Sequence, residues 1–288
     1  MPGRRQERKS NRSYGTYSTY NSKMENLPGD VSRAYQNLAD DPKYQHFVRI
    51  PDRIIQCIDY FGVSCDRATT RARLHAYYLF IGVVDDTIDS GKIDTGSLIL
   101  EYLSTPPPVF DEAARRSSVK LMTEVLKSHL SDETYPLMIA KLRDLYGQVV
   151  SERGAISIDS YMGHRKSVGA LTAELSYLLI RPDLSDNGEK LCEFMKQVGA
   201  IGCLVDSLID LNADRRLGLL GFKPGLMDYT KLIACILRDG LRVSLKHLGL
   251  SGLFLRAIVD NVRDRFRADR HVVRSFVSDR KDKAASVA

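Results

Sequence analysis

At 288 residues with 43% hydrophobic content the chain is long enough to bury a sizeable core, and its formal charge of +6 sits at its ends: residues 1–25 carry six Lys/Arg against two Glu, and residues 256–283 carry nine against five Asp. Five scattered cysteines without a CxxC pair exclude a disulfide framework and suit reduced thiols in the cytoplasm. No stretch approaches the ~18 uncharged apolar residues of a membrane span, and no apolar segment follows the basic start "MPGRRQERK" as a secretory signal requires.

In chain order, the Ser-, Tyr- and Asn-rich residues 1–25 predict a disordered basic leader. Asp40 and Asp41, in a polar turn before Pro42, suit a cap or loop. Residues 66–89, "DRATTRARLHAYYLFIGVVDDTID", lack Pro and place apolar residues at helical spacing before an almost continuous apolar run, the pattern of a buried helix. Pro106 to Pro108 break the chain, and Asp111 and Glu112 restart it at the front of an amphipathic run. Helical patterns follow over 132–155, 160–180 and 187–218, with turn material such as "RPDLSDNG" between them, and then over 226–249 and 254–276. Alternating β patterns are scarce, and the sequence shows no internal repeat. The expectation is an all-α chain of eight to ten helices in a single domain over residues 26–278, with a flexible tail at 279–288.

Two acidic clusters stand out from their apolar surroundings. Asp85, Asp86 and Asp89 close the run "LFIGVVDDTID". Asp206, Asp210 and Asp214 in "VDSLIDLNAD" recur at i, i+4 and i+8, a stripe that drifts only ~80° around a helix over ~12 Å. Like charges at this spacing repel by a few tenths of a kcal/mol per pair, and more where apolar neighbours exclude water. Facing one cavity, the two clusters would suit hard divalent cations, which take oxygen ligands from carboxylates and phosphates. No histidine lies within nine residues of either cluster, which argues against a histidine-assisted dinuclear hydrolase.

"DDTID" resembles the DDxxD motif of class I terpenoid synthases, and "DSLIDLNAD" is similar to the second metal motif of that superfamily, (N/D)xxx(S/T/D)xxx(E/D). In "YMGHRKSVG", Tyr161 and Arg165 match the diphosphate-sensing YxxxR of terpene cyclases, 41 residues before Asp206, with Gly169 one place nearer than usual. The resemblance spans roughly residues 60–225; the Arg-Tyr pair that cyclases carry near the C-terminus has no counterpart. "YLFIGVVDDTID" is also similar to the squalene and phytoene synthases, with Tyr78 and Phe80 in place but Gly82 where their arginine stands.

The resemblance implies a helical bundle around a central apolar cavity, and a Mg²⁺-dependent cyclase that ionises farnesyl or geranylgeranyl diphosphate. It implies Asp85, Asp86, Asp89, Asp206, Asp210 and Asp214 as ligands of three Mg²⁺ ions, with the first three and Arg165 catalytic. Arg165, Lys166 and Arg215 would hold diphosphate, and Tyr78, Phe80, Val84 and Gly169 would line the pocket. A prenyl diphosphate is the expected partner, nucleic acid is not, and a homodimer stays open. Two alternatives remain at this point: head-to-head prenyl transfer, and a non-catalytic helical protein whose basic ends bind nucleic acid or a membrane surface.

Overall fold

The computed structural model describes residues 27–260 and Arg263, apart from residues 90–93, 106, 186–187, 217 and 219 and the side chains of Asp89 and Ala213. The expected leader, the tail and most of the last expected helix lie outside these residues. The described chain is all-α, and its one β feature is an isolated bridge between Cys65 and Leu184. None of its helices is long and apolar enough to cross a membrane.

Twelve helices follow in order: α1 (Gly29–Asp40), α2 (Gln45–Val48), α3 (Ile50–Tyr60), α4 (Arg67–Asp89), α5 (Thr95–Leu103), α6 (Glu112–Arg116), α7 (Ser118–Ser128), α8 (Tyr135–Arg153), α9 (Ile158–Ile180), α10 (Glu189–Arg216), α11 (Leu226–Lys246) and α12 (251–260). Local chemistry sets several boundaries. Asp66 accepts from the backbone N–H of Ala68 at 3.1 Å ahead of α4, and Ser157 from that of Ser160 at 3.3 Å ahead of α9. The run expected from Asp111 is two helices, because Asp111 caps α6 through Ala114 N–H at 2.8 Å and Ser117, in extended backbone, caps α7 anew. Asp41 accepts from Lys43 N–H at 3.0 Å and opens a short 3₁₀ turn.

The antiparallel pair α9 and α10 forms the centre, with α8 and α4 against α9 and with α11 against α10. α9 and α10 meet backbone to backbone at two glycines. A Cβ on Gly169 would stand 2.2 Å from the Gly199 carbonyl oxygen, and one on Gly199 2.3 Å from that of Gly169. The main core includes Tyr77, Leu79 and Phe80 of α4, Leu121 and Met122 of α7, and Leu175 and Leu179 of α9. A second core, with Ile158, Tyr161, Leu204, Leu211 and Leu232, joins α9, α10 and α11. The loop before α6 is tied down by a buried ion pair. Lys127 Nζ lies 3.1 Å from Glu124 and donates to the Tyr102 carbonyl at 2.9 Å, while Glu124 accepts from Val109 N–H. Such a pair is satisfied rather than strongly stabilising, since desolvation offsets most of its attraction.

Candidate active site

A cavity of about 430 Å³ opens between α2–α4 on one side and α8–α10 on the other, with α12 closing a third side. The directions of the helices sort its lining. Asp85 is near the C-terminal end of α4, Glu152 and Arg153 end α8, and Asp206, Asp210 and Asp214 occupy the last turns of α10. Arg165 lies early in α9, which runs the other way, so all seven polar groups gather at one end of the bundle. Tyr78 and Ile81 precede Asp85 on α4, and Phe194, Met195 and Val198 precede the aspartates on α10. Phe194 is 12 residues from Asp206, hence ~18 Å along the helix. Phe47, Ile50, Leu253 and Phe254 complete the apolar lining.

Arg165 is held at three points. Its Nε donates to Ser207 Oγ at 2.8 Å, Nη2 to the Cys203 carbonyl at 3.4 Å, and Nη1 to Glu152 Oε1 at 3.3 Å. Burial alone would lower its pKa, but Cys203, Glu152, Tyr161 and Asp206 hold it above the ordinary value, so the guanidinium is a fixed charge. Burial raises the Glu152 carboxyl, partly offset by Arg165 and reinforced by Asp85. Asp214 is pushed up to about 6, first by burial, then by Asp210, with Arg165 opposing and Glu152 and Asp85 adding to the rise. Carboxylates of α4, α8 and α10 therefore sense one another across the cavity. Burial also pushes the Cys57 and Cys203 thiols, both in the lining, up to about 12.

Of the residues expected at the site, the cavity brings together Asp85, Asp206, Asp210, Asp214, Arg165, Tyr78, Val84 and Gly169. Others point elsewhere. Asp86, one residue and ~100° further around α4, pairs with Lys43 at 2.7 Å and accepts from Tyr44 at 3.4 Å. Lys166 is turned away from the cavity in the same manner and pairs with Asp239 of α11 at 2.5 Å. Phe80 is buried in the core, and Arg215 is exposed. The Asp89 side chain lies outside the described residues. His164 shares a hydrogen bond with Gln148 at 3.1 Å, and Glu174 pairs with Lys141 at 3.2 Å.

Sequence reasoning missed Glu152 and Arg153, which have no motif around them. Arg153 lines the cavity beside α4 and donates to the Ile88 carbonyl at 3.0 Å. Gly82 has its own partner: the Phe47 ring lies 2.5 Å from where its Cβ would be. A larger side chain at this position would have to displace that ring.

The donor set suits a hard divalent cation. Four aspartates offer oxygen only, and Asp214 is raised first by burial and then by Asp210 beside it. Among the described residues no three carboxylate, imidazole or thiol groups are gathered around one point. Comparison of the chain with protein-family models, with curated proteins and with solved structures finds no match.

Proposed function

We propose that the chain is a Mg²⁺-dependent class I terpenoid synthase, which ionises a linear prenyl diphosphate and cyclises the resulting carbocation. One observation carries this: Asp85 of α4 and the Asp206, Asp210, Asp214 stripe of α10 line a single cavity with Arg165, and the cavity continues into apolar wall. Its size lies within the ordinary range for small-molecule sites. Asp85, Asp206, Asp210 and Asp214 would hold Mg²⁺, which supplies Lewis-acid neutralisation of the diphosphate leaving group.

The chain's own residues do the rest. Arg165, fixed by Ser207, Cys203 and Glu152, presents positive charge where the leaving group becomes more negative, the kind of preorganised electrostatics that stabilises a transition state. Glu152 orients that guanidinium. Phe47, Ile81, Phe194 and Phe254 exclude water from the reacting hydrocarbon, so that the cation is not quenched early.

The test is incubation of the purified chain with Mg²⁺ and geranyl, farnesyl or geranylgeranyl diphosphate singly, followed by hexane extraction and mass spectrometry. A cyclic hydrocarbon or alcohol with the substrate's carbon number, absent from Asp85→Ala and Asp210→Ala, is expected. A product of doubled carbon number would move the chain to the head-to-head class. Absence of both turnover and Mg²⁺-dependent pyrophosphate binding would sink the proposal.

A further inference from the structure

Helix α11 has one face with no partner among the described residues. Leu232 and Val243 turn inward to the core, while Ile233, Leu237, Leu241 and Leu245 are 42%, 59%, 61% and 72% exposed. Four residues apart, they form a stripe ~18 Å long that drifts ~120° around the helix. Leu226 and Met227 extend it at the start and Leu248 beyond the end, all exposed. A contiguous apolar surface of this kind marks an interaction site rather than ordinary scatter.

Charge identifies the kind of partner. Along one edge of the stripe run Lys231, Arg238, Arg242 and Lys246, all exposed. Lys231 is paired with Asp159 at 2.8 Å and Arg238 with Asp239 at 2.9 Å, so the edge keeps a net positive balance through Arg242 and Lys246. Residues 264–288 add seven Lys/Arg against four Asp. A basic segment is a poor cover for a basic-edged stripe, and in an antiparallel pairing of two copies about a two-fold axis the two edges would repel. An apolar face with a cationic border instead matches an anionic bilayer, where leucines enter the acyl boundary and Lys/Arg meet the headgroups.

We infer that the α11 face docks the protein peripherally on an anionic membrane surface. The experiment is co-sedimentation of the full chain with phosphatidylcholine vesicles, with and without 30 mol% phosphatidylserine. The wild type should bind the anionic vesicles at least tenfold more tightly than the neutral ones, and 0.5 M NaCl should reverse this. Leu237→Glu with Leu241→Glu should reduce binding tenfold or more, and Arg242→Glu with Lys246→Glu should do so without touching the apolar stripe. Both variants should keep wild-type circular dichroism and melting. Absence of anionic-vesicle binding by the wild type would overturn the inference. So would undiminished binding by both folded variants, which would assign the attraction to the basic termini. A dimer seen by light scattering that Leu237→Glu with Leu241→Glu dissolves would give the face to a second copy instead.

Discussion

A carboxyl that keeps its proton to about pH 6 reports on its neighbours. Asp214 is raised because burial and Asp210 both disfavour its ionised form. Its folded pKa is above the unfolded one, so the folded chain binds the extra proton, and this contribution to stability is lost as pH rises from ~4 to ~6. After discounting for partial exposure the effect is on the order of 1–2 kcal/mol. Asp214→Asn should therefore melt higher than wild type at pH 7 and equal to it at pH 4 in metal-free buffer. A melting difference independent of pH would refute this account. Aspartate spacing was legible because i, i+4, i+8 fixes one face whatever surrounds it. Asp85 and Asp86 were not separable, since only the tertiary position of Lys43 and Tyr44 tells which of the two faces the cavity. Glu152 was illegible for the same reason: its meaning lies in Arg165, on another helix.

At the scale of elements, the α9–α10 contact sets the geometry of Arg165. Gly169 and Gly199 let the two backbones meet, and Arg165, about one turn before Gly169, reaches Cys203 and Ser207 about one and two turns beyond Gly199. Gly169→Val should lower the melting temperature by several degrees, as overpacking costs about 1–3 kcal/mol, and should weaken pyrophosphate binding with it. Gly163→Ala is the matched control: nothing lies within 4 Å of its Cβ position, so better helix propensity should leave the melt unchanged or raised. Equal melting of the two variants would show the contact to be slack. The long helices α4, α8, α9, α10 and α11 were legible from apolar periodicity sustained over several turns. The shorter α1–α3 and α5 went unread, and the break at Ser117 was hidden because a capping serine differs little from a surface one.

The cavity is assembled from distant parts of the chain: α4 and α8–α10 supply its charged end, whereas Phe47 of α2 and Phe254 of α12 come from opposite ends of the described sequence. Under the proposed function, this division makes diphosphate binding and hydrocarbon shaping separable. Phe254→Ala should leave Mg²⁺-dependent pyrophosphate binding within twofold of wild type by calorimetry and alter the product pattern or accept a longer diphosphate. Loss of pyrophosphate binding in a folded Phe254→Ala would contradict that division. All-α architecture, the aspartate stripe of α10 and the lining by Tyr78, Val84 and Gly169 followed from pattern, but Phe47, Phe194 and Phe254 did not, because isolated phenylalanines carry no spacing signal. Two of the lining groups, Cys57 on α3 and Cys203 on α10, are thiols that burial holds in the unreactive protonated form. They stand on separate walls of one chamber, Cys57 buried and Cys203 partly exposed, so anything that fills the chamber should slow alkylation of both together, and their joint labelling rate reports its occupancy.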